Sequence, residues 1–562
     1  MHINCLWTTW PTLSRIYSYS MSIPGAPTAK EKKYDRQLRL WGAAGQEALE
    51  NAHILLVNAT AAGTETLKNL VLPGIGRFTI IDDAVVKDED LGTNFFLDDN
   101  SIGLSRAQKT CELLCELNPD VQGDHIKDNI TNFIHTNPEK LKTFTTVIIT
   151  GDVPISTLLS LDNLLYTLDI PLFVLKCVGF TMTCRLALSE HAIVETHPDS
   201  TVDLRLLKPF PELVALYEEK AAIMDDKEKM SEHDHGHIPY VVILLKALDD
   251  WRSTHGGNIP SNYREKNEFK SFLRGKMWNA DEENFEEAIA AVLPYFNPPS
   301  IASTTKEIFE DKKCTQLTAT SSNFWIIARA IKNFAYDDNE GILPLPGALP
   351  DMKAESKDYI RLQNVYKAKA RADLASVMEI VRVLLSGLGR DPNSISESDV
   401  ETFCKHAGFA RLTRVRSLNE EYEHNPKVKT VSNELSDPTS LMHYYLGIRA
   451  YEMFISEESN SKHTPPGIDD STAENDAEQL DQYVTVILDK LNIAHSPELL
   501  EGTSKAVREI VRVGGGELHN ISSLAGGLVA QEIIKVITKQ YIPMNNTVIF
   551  DGISSRSQVY EL

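Results

Sequence analysis

Residues 53–63, HILLVNATAAG, run from an apolar segment through a short turn into the start of a helical pattern. The segment HILLV (53–57) is short and apolar, which is typical of a strand covered on both faces of a parallel sheet. Residues 63–72 then carry leucine and valine side chains at helical spacing. The order strand, turn and helix predicts the first unit of a doubly wound fold.

The alternation of strands and helices continues after this unit. Further strands are predicted at residues 77–82 (RFTIID), 146–150 (TVIIT) and 171–175 (PLFVL), and helices at 105–117 and 155–168. Strands that alternate with helices form a parallel sheet with helices on both faces. The predicted fold class is therefore α/β, with a Rossmann-like doubly wound sheet.

A long helical region interrupts this pattern. Between about residue 190 and about residue 500 the apolar residues are spaced mostly as in helices, and the α/β pattern returns with an apolar helix and a strand at 547–550. We therefore predict an α/β domain in two parts, 28–190 and 506–562, that flank a mainly helical insertion at 191–505. Tandem domains remain an alternative on periodicity alone.

Two segments have a composition that disfavours a packed core. Residues 1–27 contain no continuous apolar run of the kind found in a secretory signal, and we expect them to be a disordered extension. Residues 457–476 are rich in Ser, Pro, Glu and Asp, which predicts a solvated loop.

The charge of the chain narrows the classes of partner. The 562 residues include 56 Lys and Arg against 79 Asp and Glu, and the formal net charge is −23. The electrostatic field of such a negative charge repels phosphate backbones and anionic lipids. We therefore expect neither nucleic acid nor a membrane as a partner. No apolar run reaches the roughly 18 residues of a membrane span. Seven scattered cysteines form no disulfide framework and indicate a reducing compartment.

The turn after the first strand lacks the glycines of a phosphate-binding loop. Those glycines let the backbone approach the anion at angles that a Cβ forbids. Here residues 58–63 read NATAAG, and only Gly63 is left. Alanine Cβ atoms then occupy the wall where phosphate oxygens would pack, so we interpret the loop as a structural relic. A working ATP loop of a self-sufficient adenylating enzyme and the dinucleotide loop of an NAD(P)-dependent oxidoreductase are the alternatives.

The segments YDRQLRLWG (34–42) and LVLPGIGRFTIIDDAVV (70–86) resemble the start of adenylating domains in the ThiF/MoeB and ubiquitin-activating superfamily. Active members of that superfamily carry a glycine-rich turn, an Asn-Arg-Gln nucleotide motif, a lysine in the following helix and often paired CxxC zinc ligands. In this chain the Asn-Arg-Gln region reads TNFFL (93–97), the lysine position falls near Arg106, and no CxxC occurs. The resemblance therefore implies no metal site and a lost nucleotide site.

This pattern of losses is similar to that of the regulatory subunits of heterodimeric neddylation-activating enzymes. Matching segments extend from about residue 31 to the C-terminus and include KPFPEL (208–213), YIRLQNVY (359–366) and AQEIIKVITKQ (530–540). The resemblance implies a non-catalytic subunit that is inactive alone. Its partner, the catalytic subunit, would bind ATP and Mg²⁺, adenylate the ubiquitin-like modifier and hold the thioester cysteine.

The same resemblance extends to the other properties of the chain. It implies that this chain binds no cofactor itself and that the modifier and the conjugating enzyme are further partners. It also implies a cytoplasmic and nuclear protein, whose insertion is a catalytic-cysteine-like domain without the cysteine.

One arginine has an implied role in the partner's site. In the resembling family the arginine of the YDRQL string contacts ATP on the partner subunit, and that residue is Arg36 here. Arginine offers a rigid, always charged fork that suits phosphate oxygens. Arg39, one turn further along, is the second candidate. The alternative is that Arg36 only fixes the N-terminal helix through Asp35 or Glu31.

Four further groups of residues have a structural interpretation. Asp82 and Asp83 end the second strand, where a ribose-binding acid would lie, and are interpreted as capping carboxylates. The histidines of residues 233–237 lack further ligands, and the pair Cys111 and Cys115 is interpreted as buried apolar packing. The triglycine 514–516 is interpreted as a flexible connector, because no strand precedes it as in a P-loop.

Three cysteines, Cys177, Cys314 and Cys404, were the remaining candidates for a thioester nucleophile. Such a cysteine needs an electropositive or helix-N-terminal setting, for which the Lys312-Lys313-Cys314 string is a weak signal. The resembling family carries the nucleophile on the other subunit, so none is assigned here.

Overall fold

The computed structural model describes residues 28–457 and 464–562 of the chain. The chain forms two compact units: a sheet unit, which comprises the residues up to 191 and from 413 onward, and a helical unit, residues 192–412. The expected disordered extension, residues 1–27, lies outside the described residues. Residues 458–463 of the predicted polar loop also lie outside them.

The sheet unit is built on a mixed sheet, whose described strands follow the order β3-β2-β1-β4-β5-β6-β8-β9, with β7 paired to β6. The five strands from β3 to β5 are parallel, and β5, β6, β8 and β9 are joined antiparallel. This arrangement confirms the predicted α/β fold class. The strands are β1 His53–Val57, β2 Arg77–Ile81, β3 Gln122–Ile126, β4 Thr146–Ile149, β5 Leu172–Val178, β6 Thr181–Ile193, β7 Arg411–Val415, β8 Thr547–Asp551 and β9 Arg556–Tyr560.

The α-helices fall into three groups along the chain. Before the helical unit are α1 Ala29–Lys33, α2 Asp35–Glu50, α3 Ala61–Val71, α4 Asp88–Leu91, α5 Arg106–Cys115, α6 Ile130–Thr136 and α7 Ile155–Thr167. Within it are α8 Pro211–Met224, α9 Glu232–His235, α10 Tyr240–Thr254, α11 Tyr263–Arg274, α12 Glu283–Tyr295, α13 Ser303–Glu310, α14 Lys312–Thr315, α15 Asn323–Asn333, α16 Ser356–Gly387 and α17 Glu397–His406. After it are α18 Val428–Leu435, α19 Met442–Ile455, α20 Ala473–Lys490, α21 Pro497–Arg512 and α22 His519–Thr538.

The parallel strands are buried on both faces, as their apolar sequence predicts. Successive side chains of a strand point to opposite faces of the sheet. Leu56 of β1 lies in a core that it shares with α3 and α22 residues such as Leu67 and Val529. Leu55 of β1 lies in a second core, together with Leu161 of α7. The two cores hold helices against both faces, which is the doubly wound arrangement.

The chain returns to the sheet unit earlier than the sequence predicts. Residues 413–505, which helical spacing assigned to the insertion of 191–505, belong to the sheet unit. The reason is that α19, α20 and α21 share one apolar core with Ile549 of β8 and Tyr560 of β9. Helical spacing identifies the apolar face of a helix but not the surface on which that face packs.

The helical unit has two apolar cores of its own. One contains Trp251, and the other contains Trp325. Helix α16 runs through 32 residues and contributes to both, with Tyr366 in the first core and Val377 in the second. A long helix with buried residues along its length therefore connects the two cores.

Helix α22 is a core helix of the sheet unit. By length and composition it could cross a membrane, and it is the one such helix among the described residues. Its residues Ala525, Val529 and Ile533 are buried in the sheet unit. A Cβ added at Gly526 would lie 2.7 Å from the backbone carbon of Glu65, so α22 and α3 cross in close contact at this glycine.

Candidate functional site

The loop between β1 and α3 lies at the carboxyl edge of the parallel strands, where doubly wound folds bind their ligands. Asn58 takes a left-handed backbone conformation with φ of 62°, which asparagine tolerates better than most residues. Its Nδ2 donates 2.9 Å to the carbonyl oxygen of Thr150 at the end of β4. Thr60 then caps α3 by accepting from the amide of Gly63. The strand–turn–helix geometry is therefore complete.

The turn is filled by alanine side chains. Ala59 and Ala62 are completely buried, and Ala61 is 4% exposed. A Cβ at the one remaining glycine, Gly63, would lie 2.7 Å from Oγ1 of Thr150 and 2.9 Å from Leu56. Gly63 is thus required for the packing of α3 against the sheet, which is the role of the last glycine in a dinucleotide loop.

Two backbone amides of the turn are already occupied by side chains of the same chain. The amide of Ala59 donates 2.8 Å to Oδ2 of Asp82. The amide of Ala62 donates 2.9 Å to Oε2 of Glu517. In an active loop such amides at a helix N-terminus would bind phosphate oxygens. Here two carboxylates take that place.

Arg106, at the position of the family's lysine, is held by acidic side chains. Its Nε lies 2.7 Å from Oδ2 of Asp82, and its Nη1 lies 3.3 Å from Oδ1 of Asp90. Burial lowers the pKa of Arg106, but the charges of Asp82 and Asp90 outweigh it and raise the pKa above its ordinary value. Asp82 also accepts from the amide of Ala84, so it fixes the turn after β2. Asp83 is exposed.

The segment that replaces the Asn-Arg-Gln motif packs on the start of α22. Asn94 is buried and donates 3.2 Å to Oγ1 of Thr64 in α3. The ring of Phe95 is 67% exposed and stacks on the ring of His519 at 3.6 Å between centroids. His519 in turn contacts the carbonyl oxygen of Thr93 at 2.9 Å. Residues 93–97 therefore bring no lysine or arginine of the kind that binds phosphate.

A second charged cluster lies at the ends of β4 and β5. The Nζ of Lys176 contacts the carbonyl oxygen of Gly151 at 2.9 Å and forms an ion pair with Asp152. Tyr451 donates 3.2 Å to the other oxygen of Asp152, and Lys176 lies over its ring at 4.6 Å. Lys176, Asp152 and Glu517 were not among the residues predicted from the sequence. A lysine inside the apolar strand LFVLKCV was the available signal, because buried lysines are rare unless paired.

The triglycine 514–516 is a tightly packed turn rather than the flexible connector that the sequence predicts. Gly514 and Gly515 have φ of 56° and 75°, a region that L side chains rarely adopt. A Cβ at Gly515 would lie 2.5 Å from Pro465. The turn is fixed to the sheet by a 2.8 Å hydrogen bond from the amide of Gly179 to the carbonyl oxygen of Gly516.

The YDRQL string is anchored to the sheet unit by its tyrosine. Tyr34 is 3% exposed, and its hydroxyl accepts from Asn118 at 3.1 Å and donates to Asp120 at 3.2 Å. Lys33 contacts the same two residues at 2.6 and 2.7 Å. The start of α2 therefore has a defined position on the domain.

The two candidate arginines differ in their contacts. The Nε of Arg39 lies 3.0 Å from Oδ2 of Asp35. The guanidinium of Arg36 is exposed and forms no ion pair or hydrogen bond with any described residue. Glu31, the other proposed anchor of Arg36, instead caps α1 through the amide of Thr28. The anchoring alternative for Arg36 therefore finds no contact in the described part of the chain.

Comparison with known proteins identifies the family. The model of the ThiF family matches residues 34–562. The chain is 43% identical over 541 residues to the NEDD8-activating enzyme E1 regulatory subunit of Xenopus laevis, covering 95% of this chain and 99% of that protein. The regulatory subunit of Gallus gallus is 42% identical over 96% of this chain and 100% of its own length, and AXR1 of Arabidopsis thaliana is 38% identical over 95% and 97%. The chain belongs to the NEDD8-activating E1 regulatory subunits of the ThiF family.

ATP, which the resemblance implies for active members of the ThiF family, does not fit the residues of this loop. The side chains of Ala59 and Ala62 belong to the apolar core, and their amides are bonded to Asp82 and Glu517. Arg106 is neutralised by its two acidic partners. The loop of this ThiF-family chain therefore offers a polyphosphate buried alanines, two amides that are already bonded to carboxylates and an arginine that is already paired.

The buried cysteines of this ThiF-family chain are poor nucleophiles. Burial raises the pKa of Cys314 to about 11 and that of Cys404 to about 12. Burial also raises the pKa of Cys177 and Cys184. Cys111 has a pKa of about 12, because burial and its neighbour Cys115 both disfavour the thiolate. A thioester nucleophile needs the opposite shift.

The histidines of residues 233–237 are engaged within the helical unit. His235 is buried, and its Nδ1 lies 2.6 Å from Oε1 of Glu282, while its ring stacks on Trp278 at 4.0 Å. The Nδ1 of His237 contacts the carbonyl oxygen of His233. In the part of the chain that the structure describes, no group of three or more His, Cys, Asp or Glu side chains could hold a metal ion.

Proposed function

We propose that this chain is the non-catalytic half of a heterodimeric activating enzyme for a ubiquitin-like modifier of the NEDD8 type. The catalytic subunit would hold ATP and Mg²⁺, adenylate the C-terminus of the modifier and capture it as a thioester. The names of relatives that match nearly the whole chain support this role. This chain would bind no nucleotide and complete the partner's site from outside.

The observation that carries this proposal is the filled loop after β1. A subunit that adenylates must bind triphosphate, and this loop presents buried alanines and amides already bonded to Asp82 and Glu517. The strand–turn–helix geometry is kept without its ligand-binding groups. A fold of this type without nucleotide-binding groups is expected of a domain that binds its partner subunit and does no chemistry itself.

Arg36 is the residue proposed to act on the partner's ATP. The adenylation step builds negative charge on the transferred phosphate and the departing pyrophosphate, and a positioned cation lowers that barrier. Arg36 is exposed, has no partner among the described residues, and follows the buried anchor Tyr34 in α2. A free guanidinium on a fixed helix start is able to reach a neighbouring subunit without first breaking an ion pair.

The thioester would form on the catalytic subunit rather than here. The modifier is passed from the adenylate to a thiolate, with AMP as the leaving group, so the acceptor cysteine must ionise readily. The buried thiols Cys314 and Cys404 have pKa values of about 11 and about 12, which oppose ionisation. The modifier and the conjugating enzyme are the partners proposed for the helical unit.

The protein is proposed to act in the cytoplasm and the nucleus. Six cysteines in the described part of the chain are free thiols, which is in keeping with a reducing compartment. A fluorescent fusion expressed in cells would test this, and confinement to a secretory compartment would contradict it.

The function is tested by comparing the lone chain with the assembled pair. We expect the purified chain to bind no ATP by calorimetry and to form no thioester with the modifier. Addition of the catalytic subunit should give a stable heterodimer that forms the thioester only on that subunit. Micromolar ATP binding by the lone chain would instead support a self-sufficient adenylating enzyme.

A further inference from the structure

We propose that Glu517 is a built-in anion that replaces the nucleotide phosphate at the start of α3 and thereby closes this site. The inference rests on the proposed function, in which this chain binds no ATP, and it assigns the closure to one side chain. The ligand of the former phosphate position is then a carboxylate that the chain itself supplies.

The contacts of Glu517 are those of a bound anion. One oxygen accepts from the amide of Ala62 at 2.9 Å, in the first turn of α3, and from the hydroxyl of Ser522 at 3.2 Å. The hydroxyl of Thr60 also faces this carboxylate and lowers its pKa. Helix N-termini bind anions because their first amides lack partners within the helix and carry partial positive charge. Glu517 satisfies one of these amides.

The backbone places Glu517 at this point. Gly516 accepts a 2.8 Å hydrogen bond from the amide of Gly179, next to the end of β5. Gly514 and Gly515 provide the left-handed turn that leads from α21 to this bond. The carboxylate therefore enters the site from a defined turn, and the first residues of α22 follow immediately.

The charges around Glu517 determine which ions can bind at this position. Lys176 and Asp152 neutralise each other, and the hydroxyl of Tyr451 is bonded to Asp152. Burial raises the pKa of Glu517 above its ordinary value, and the hydrogen bonds from Ala62, Thr60 and Ser522 and the charge of Lys176 offset only part of that rise. At this position the carboxylate loses part of its hydration and gains hydrogen-bond donors from the protein. A second anion beside it would meet repulsion.

The residues of the site are not fully enclosed. Glu517 and Thr60 are only partly buried. Truncation of the Glu517 side chain would therefore leave the Ala62 amide and two hydroxyls without an anion, at a point that a small tetrahedral anion can reach. If Glu517 only joined α22 to α3, its truncation would create no affinity for phosphate.

The test measures thermal unfolding of the full chain in increasing inorganic phosphate, with chloride at matched ionic strength. Glu517→Ala should unfold about 2 °C or more below the wild type, and phosphate should restore part of that loss in a saturable manner. Glu517→Gln should not respond to phosphate, because its amide oxygen still accepts from Ala62. Wild type should not respond either. Glu509→Ala removes a carboxylate of α21 that pairs with Arg512, and serves as the matched control.

The outcomes separate the inference from the proposed function. A Glu517→Ala chain that ignores phosphate, or a wild type that is stabilised equally, would overturn the inference. If Glu517→Ala does not fold, Glu517→Ser is measured in its place, and the same two results apply. ATP binding by the wild type would overturn the proposed function instead, whatever the variant does.

Discussion

The Nε of Arg39 lies 3.0 Å from Oδ2 of Asp35, one turn earlier in α2. Asp35, the acidic residue closest in sequence to Arg36, is therefore paired with Arg39. The Arg36 guanidinium has no partner among the described residues. Exposed pairs of this kind contribute about 0.3–0.5 kcal/mol to a helix. The two arginines therefore differ in role: Arg39 stabilises the helix, whereas Arg36 is available to contact a separate molecule.

Replacement of Arg36 should affect catalysis by the assembled heterodimer. We expect Arg36→Ala to slow ATP–pyrophosphate exchange about 100-fold, in line with the loss of one preorganised donor to developing charge. Arg36→Lys should be intermediate, because lysine keeps the charge but not the planar fork. Arg39→Ala is the matched control and should stay within a few-fold of wild type. Wild-type exchange by Arg36→Ala, with assembly intact by gel filtration, would remove Arg36 from the mechanism.

Loss of the buried pair between Arg106 and Asp82 should destabilise the sheet unit. Arg106→Ala leaves the carboxylate of Asp82, which is 1% exposed, without a counter-charge. Breaking a buried pair from one side costs about 3–5 kcal/mol, and urea unfolding should show a loss of that order. Lys109→Ala, on the same helix, removes only a partner of Glu112 and should change stability by less than about 0.5 kcal/mol. Equal effects of the two substitutions would contradict this account.

Two adjacent glycines of α22 should respond in opposite directions to alanine. A Cβ at Gly526 would lie 2.7 Å from the backbone of Glu65, whereas a Cβ at Gly527 would have nothing within 4 Å. Gly526→Ala should therefore cost about 1–3 kcal/mol, because α3 has to move. Gly527→Ala should be neutral or stabilise by up to about 1 kcal/mol, because alanine favours the helix. Urea unfolding of the two variants measures this, and a tolerated Gly526→Ala would show that the helices do not cross here.

Acid should weaken the sheet unit through His191. Burial, with the charge of Lys539, lowers the pKa of His191 from 6.5 to about 4. The unfolded chain then binds the proton first, so the stability from the neutral ring is present above pH 6.5 and lost as the pH falls toward 4. The shift corresponds to about 3 kcal/mol at most. His191→Gln should flatten the pH dependence of urea unfolding in that range, whereas exposed His135→Gln should not. An unchanged slope in His191→Gln would show that this ring does not titrate on unfolding.

Some strands of the sheet were not predicted from the sequence. The strand β6, Thr181–Ile193, is antiparallel to β5 and β8 and was not expected. Residues 181–188 do alternate, since the apolar Met182, Cys184, Leu186 and Leu188 are separated by polar or small residues, and this period-2 signal was overlooked. Strand β3 was missed because its residues are largely exposed and polar at the sheet edge.

By itself, the sequence determined the strand–turn–helix order, the alanines of residues 58–63 and the absence of the family's nucleotide and zinc motifs. These properties depend on residues that are neighbours along the chain. Tertiary structure alone decided that residues 413–505 join the sheet unit and that Glu517 meets the amide of Ala62, 455 positions away. Periodicity records which face of an element is apolar, whereas the partner of that face, or of a lone carboxylate, depends on packing between distant segments.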